Sequence, residues 1–228
     1  MIIYGKQVCY YALAKHSSKI KTIYVTKLSL LPKEFLKKFG AQIKTIENKW
    51  AQKLSRGGNH QGILIELEDI ELPSLESIKK SDFILLLDTL TDVGNIGAII
   101  RTAYALGVEA VIASGVRQLN LEAIVRTSAG AALDLPPVVM QNPLNFLNEL
   151  KQIGFMLYGA DLDGEPLATA EFERKRVLVL GSEGKGISKR IKEKIDRSYK
   201  IEMKRDFDSL NVSAAAAIFI YRMSNGVK

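Results

Sequence analysis

Phe83-Ile84-Leu85-Leu86-Leu87, followed at once by Asp88-Thr89-Leu90-Thr91-Asp92-Val93-Gly94-Asn95-Ile96-Gly97, decides the fold of this 228-residue chain. Consecutive apolar residues without polar alternation mark a strand covered on both faces. The polar, glycine-bearing stretch after it opens into apolar spacing suited to a helix over Ile96–Leu106. A second continuous run, Val177-Leu178-Val179-Leu180, leads directly into Gly181-Ser182-Glu183-Gly184-Lys185-Gly186. Val108–Ala113 and Phe155–Gly159 read as further strands, and Leu144–Ile153, Ser188–Asp196 and Val212–Met223 as helices. Strands alternating with helices predict an α/β fold with a parallel sheet, in which ligands gather at the carboxyl ends of the strands.

Towards the N-terminus the texture changes. Lys6–Lys15 and Lys33–Phe39 have helical spacing, the second ending at Gly40, while Thr22–Val25, Gln42–Ile46 and Gly62–Leu67 read as strands. Ser55-Arg56-Gly57-Gly58-Asn59-His60 is a loop by composition. Pro73 and the polar stretch after it mark the boundary, giving an N-terminal unit over 1–72, a linker over 73–80 and a second unit over 81–228. Charge divides the same way. Of a formal net charge of +7, the first unit carries +6, and residues 1–56 hold twelve lysines and arginines against only Glu34 and Glu47. A basic unit joined to a near-neutral one fits a polyanion-binding end and an end for chemistry, although a lysine-rich solubility surface has the same composition.

Several classes are disfavoured. The longest apolar run, Ala214–Tyr221, is too short to span a bilayer, and the first residues lack the pattern of an export signal, so a soluble cytoplasmic protein is expected. One cysteine and two histidines argue against a disulfide framework and a protein-built metal site. Gly181–Gly186 is no Walker loop, because Gly186 is followed by Ile187-Ser188 rather than by Lys-Ser/Thr. Neither histidine belongs to a site-like loop, which disfavours a Ser-His-Asp triad.

Three segments remain as site candidates. In the first, Asn95 is placed to cap the helix it precedes, and Arg101, within the apolar Ala98-Ile99-Ile100…Ala103, calls for an acidic partner or a ligand anion. In the second, Glu183 either meets a ligand or pairs with a lysine. In the third, Ser209-Leu210-Asn211-Val212-Ser213 opens a helix whose four alanines, Ala214–Ala217, allow close packing, with Ser209 and Asn211 as caps or site groups.

Taken in order, these segments resemble the three motifs of the SpoU (TrmH-type) family of RNA ribose 2′-O-methyltransferases: Asn95…Gly97…Arg101, Leu180–Gly186 and Ser209–Ser213. Thr127-Ser128-Ala129-Gly130-Ala131 also looks like the family, and Ile3-Tyr4-Gly5 with His60-Gln61-Gly62 resembles the substrate-binding domain of its bacterial 23S ribosomal RNA guanosine-methylating members. The chain departs from the family at Glu202, where Ile201-Glu202-Met203 replaces Ile-Pro-Met, and at Val93, where Asp92-Val93 replaces Asp-Pro. Glu202 sets an acid beside the expected cofactor edge.

The resemblance implies a parallel sheet with a deep C-terminal trefoil knot, preceded by a small α/β ribosomal-protein-like RNA-binding domain. It implies a homodimer with the active site completed across the subunit interface, RNA as substrate and S-adenosylmethionine as cofactor, with no metal. Backbone around Gly181, Ile201 and Leu210 would hold the cofactor and Met203 would line its pocket. Arg101 would be central to activating the 2′-hydroxyl, with Asn95, Glu183, Ser209 and Asn211 orienting groups around it. Transfer RNA methylation and a non-catalytic RNA-binding or assembly role are the alternatives.

Overall fold

The computed structural model describes residues 1–206 and 208–227. Its elements follow in chain order: β1 (Ile2–Tyr4), α1 (Lys6–Lys15), β2 (Ile20–Val25), α2 (Lys33–Phe39), β3 (Ile43–Thr45), α3 (Asn48–Leu54) and β4 (Ile63–Leu67). After the short α4 (Leu75–Ile78) come β5 (Phe83–Asp88), α5 (Val93–Ala105), β6 (Ala110–Ser114), α6 (Leu121–Thr127), β7 (Pro137–Met140) and α7 (Leu144–Gln152). The chain continues through β8 (Met156–Pro166), β9 (Arg176–Leu180), α8 (Lys189–Lys192), β10 (Arg197–Lys200) and α9 (Val212–Asn225).

Two sheets result. The smaller has the order β1-β4-β2-β3, with β4 antiparallel to both neighbours and β2 parallel to β3. The larger, β10-β8-β9-β5-β6-β7, is parallel at every pairing. Chain order reverses around β5, whose neighbours are β6 on one side and β9 on the other. That reversal opens the crevice in which parallel sheets bind ligands.

The apolar strand β5 is buried at every position, and successive residues serve opposite layers. Leu85 and Leu87 join the core that includes Ile96, Ile99 and Ile100 of α5 and Phe219 and Ile220 of α9, whereas Ile84 and Leu86 pack with Phe146, Leu147 and Leu150 of α7. Each such side chain contributes about 1.5–3 kcal/mol by leaving water. The first of these cores runs without a break into the small sheet, through Ile3, Leu13, Ile23 and Ile65. Helix α5 packs on α6 and α9, and at the crossing a methyl group on Gly97 would lie 2.0 Å from Thr127 Oγ1. Only glycine admits this approach.

Four expectations need correction. The helix expected over Ser188–Asp196 shrinks to Lys189–Lys192, because Asp196 leaves the helix to accept a hydrogen bond from Leu157 N at 2.9 Å and to pair with Lys151. The first strand of the small sheet, α3, α4, α6, β7 and β10 lie in stretches whose sequence predicts no element. Asn95 does not cap α5; Asp92 does, accepting from Asn95 N at 2.7 Å, which places Asn95 inside the first turn. Arg101 stands on the exposed side of α5 rather than on its apolar face, since Ile96, Ile99, Ile100 and Ala103 turn the other way.

Candidate active site

Three segments far apart in sequence meet at the reversal point. Asn211 is the true cap of α9, its Oδ1 accepting from Ser213 N at 2.9 Å. Its Nδ2 is thereby turned outward and donates to Asn95 Oδ1 at 3.0 Å and to Glu183 Oε1 at 2.8 Å. Glu183 Oε1 also accepts from Asn95 Nδ2 at 3.4 Å and from Val212 N at 3.3 Å. The carboxylate thus collects donors at the N-terminus of α9, where helix dipole and open N–H groups favour an anion. Glu183 meets these donors rather than a lysine.

The loop that carries Glu183 is shaped by backbone. Ser182 and Gly186 exchange two main-chain hydrogen bonds, at 2.9 and 3.2 Å, across a turn with Gly184 at φ +83°. A methyl group on Gly181 would sit 2.0 Å from the Gly186 carbonyl carbon. Gly181 therefore serves the tightness of this turn and does not line the two cavities beside it. The far end of the loop is tied to β5 by Asp88, a buried carboxylate that accepts from Ser188 N at 2.7 Å and from Ser114 Oγ at 3.0 Å. Sequence reasoning assigns Asp88 no role. Its position at the end of an apolar strand is the available signal, because a carboxylate buried there needs donors.

Beside the cluster lies a small pocket of about 100 Å³ lined by Ile201, Met203, Ser209, Leu210, Ala215 and Phe219, among others. It brings together Ile201, Met203 and Leu210, and draws Ser209 to the pocket rather than to the Asn95–Glu183–Asn211 cluster. An apolar cavity of about 550 Å³ shares Lys200 and Ile201 with it and adds Glu202, Ile218 and Tyr221. Among the described residues, the peptide groups of 201–206 and 208–210 make no main-chain hydrogen bonds with one another or with the rest of the fold. Aliphatic and aromatic walls beside open peptide groups suit a ligand with an apolar body and polar edges.

Arg101 lies apart. Six residues separate it from Asn95, about 9 Å along the helix and roughly 120° around it. It lines a different cavity, of about 340 Å³, with Gln7, Tyr11, Tyr104, Ala105, Ser128, Ala129 and Ala131. Among the described residues its guanidinium has no hydrogen bond or ion pair, so the acidic partner anticipated for it is absent from the fold. Cys9 is buried, with its thiol pushed far above the ordinary range by desolvation, and offers no nucleophile.

Comparison with known proteins gives the class to which this sheet, glycine loop and carboxylate–amide cluster belong. The SpoU rRNA Methylase family matches residues 82–221, and the RNA 2′-O ribose methyltransferase substrate-binding family matches residues 2–73. The chain belongs to the SpoU rRNA methylase family and is an RNA methyltransferase. A Borreliella burgdorferi protein named an uncharacterized tRNA/rRNA methyltransferase is 38% identical over 153 residues, 65% of this chain and 67% of its own. The 23S rRNA (guanosine-2′-O-)-methyltransferase RlmB of Bordetella pertussis is 34% identical over 189 residues, 80% of this chain and 77% of its own. The fold matches that of the SpoU methyltransferase AviRb from Streptomyces viridochromogenes, crystallised with AdoMet, with a TM-score of 0.77 and 24% identity over 98% of this chain and 89% of that one.

Proposed function

We propose that this chain transfers a methyl group from S-adenosylmethionine to the ribose 2′-hydroxyl of a guanosine in 23S ribosomal RNA, working in the cytoplasm as a homodimer. The observation that carries the reading is the meeting of Asn95, Glu183 and Asn211, from three distant motifs, beside the pocket of Ile201, Met203, Ser209 and Leu210. That pocket, extended by the adjoining apolar cavity, is the place for the cofactor, with Met203 and Leu210 against it and open peptide groups around Ile201 to receive its polar edges. Gly181 contributes through the turn it permits. When bound, the cofactor supplies the electrophilic methyl group. We place the deep trefoil knot in the segments that follow β9 and β10. The division of labour follows the charge: residues 1–72 grip RNA, 73–80 link, and 81–228 carry the chemistry.

The chain's own residues have separable tasks. The Arg101 guanidinium is a poor base but a durable cation. In a site completed across the dimer interface, it stabilises the alkoxide that develops at the 2′-oxygen and holds the adjacent phosphate, which accepts the hydroxyl proton. Glu183, clamped by Asn95 and Asn211, fixes the loop against α9 and so sets where the ribose approaches the cofactor. The dimer reading rests on the outward face of α9. Ala214, Ile218 and Tyr221 are exposed there, next to the 550 Å³ apolar cavity. A second copy seated there covers apolar surface that a lone chain leaves in water.

The test has two parts. Calorimetry should show S-adenosylmethionine binding with no comparable affinity for ATP or NAD. Incubation with an unmodified 23S ribosomal RNA transcript, followed by mapping of 2′-O-methyls, should show one modified guanosine. Modification of transfer RNA alone would reassign the substrate, and cofactor binding without methylation of any RNA would leave a non-catalytic binding protein.

A further inference from the structure

The cavity around Arg101 has walls from both halves of the chain. Helix α1 presents Gln7 and Tyr11, one turn apart on a single face, to the same space that Arg101 and Tyr104 enter from α5. The helix is held there by specific contacts. Tyr11 donates to Asp134 Oδ2 at 2.6 Å, and His16 Nε2 lies 3.2 Å from the same oxygen. Burial first, then the Asp134 hydrogen bond, raises the Tyr11 hydroxyl well above its ordinary range, so it remains a donor. Gly130, at φ +101°, lets the Tyr11 ring close in, since a methyl group there would lie 2.6 Å from it. Further along the junction Ile2 N donates to Glu122 at 3.3 Å, and the Arg126 guanidinium stacks 4.1 Å from the centre of the Tyr4 ring.

Within this built cavity, the two most polar groups able to recognise a ligand have no partner among the described residues. The Gln7 side chain is exposed and has no hydrogen-bond partner among the described residues. The same holds for the Arg101 guanidinium, and the Tyr104 ring is 42% exposed. A carboxamide both donates and accepts, an aromatic ring offers a stacking face, and a guanidinium meets phosphate or alkoxide oxygen. Together these are the elements by which proteins read an unstacked RNA base while holding its sugar and phosphate. At about 340 Å³, the space is within the range of small-ligand sites.

We propose that Gln7, carried by the N-terminal unit, is a specificity-determining residue: its carboxamide reads the base of the nucleotide whose ribose Arg101 engages, against the rings of Tyr11 and Tyr104. The proposal rests on the reading of Arg101 as the ribose-engaging group of an RNA 2′-O-methyltransferase. It makes the N-terminal unit part of the nucleotide pocket, beyond its service as a basic grip on distant RNA. Docking of α1 against 128–134 is then a condition for selecting the target.

The experiment uses the full chain and four 23S ribosomal RNA transcripts that differ only in the base at the mapped target position. Wild-type protein methylates one of them best. Gln7→Ala and Gln7→Leu, the second preserving bulk without polar atoms, should each shrink that preference by about 10- to 100-fold. Cofactor affinity and the salt dependence of RNA binding should not change, because Gln7 is uncharged and does not line the Met203 pocket. Undiminished base preference in both variants overturns the proposal while leaving the methyltransferase reading intact. Failure of the wild-type protein to methylate any transcript overturns that reading and this inference with it.

Discussion

The two ends of helix α5 have been given opposite treatment. At its start Asn95 is locked to Glu183 and Asn211 by hydrogen bonds of 3.0 to 3.4 Å, and Asp92 caps the helix beneath it. Six positions on, about 9 Å along the helix and roughly 120° around it, Arg101 projects into a cavity with no described partner at all. A polar group satisfied within the fold resists displacement and keeps a site in shape; one left unsatisfied and hydrated is available to a ligand at little cost. The chain thus finishes the part of its site that must stay rigid, and leaves open the cation that has to meet RNA.

Substitutions at the two ends should separate these roles. Apart from Arg101 itself, the largest effect is expected at Glu183. Glu183→Ala strands the Asn95 and Asn211 amides and frees the 181–186 loop, and methyl transfer should fall by about 100-fold as the ribose loses its alignment. A steady-state assay with saturating RNA checks this, and normal turnover would reduce the cluster to a surface ornament of the loop. Next comes Gly97→Ala, which forces a methyl group into Thr127 between the two ends. It should cost about 1–3 kcal/mol and lower the melting temperature by about 2–12 °C in a thermal scan. Asp92→Ala removes only the cap, about 1 kcal/mol, measurable by urea unfolding with an unchanged m-value. The smallest change belongs to the distant basic surface. Replacing the exposed Lys33, Lys37 and Lys38 by glutamine should lower the salt slope of RNA binding by about 0.7–0.9 for each phosphate no longer neutralised, without altering the catalytic step.

Legibility in the sequence followed how local each signal was. Phe83–Leu87 and Val177–Leu180 announced buried parallel strands because every residue in them is apolar, and both are buried throughout. The strand Arg197–Lys200 gave no such sign, being a polar edge with one buried side chain, Tyr199. Pro137–Met140 opens on the second of two prolines and is only half-buried beyond it. Glu183 and Asn211 could be paired with Asn95 only through a family resemblance, since the partners are 88 and 116 positions apart in sequence. The Arg101 cavity was invisible for a different reason. Gln7 lies on the outward face of α1, where a polar residue looks like ordinary solvent-facing surface, and nothing local shows that another unit of the chain faces it.

Single-turnover methyl transfer by Arg101→Ala, with RNA and S-adenosylmethionine both saturating, tests the central contrast most directly. An unpartnered, exposed side chain can be removed without loss of fold, so the variant should melt like the wild type and bind cofactor as tightly. Its chemical step should nevertheless slow by at least about 100- to 1,000-fold, the usual effect of losing one preorganised charge at the reacting oxygen. Arg101→Lys, which keeps the charge but not the planar fork, should do only slightly better. Near-normal single-turnover rates in Arg101→Ala would contradict the account, and the open end of α5 would then be surface rather than site.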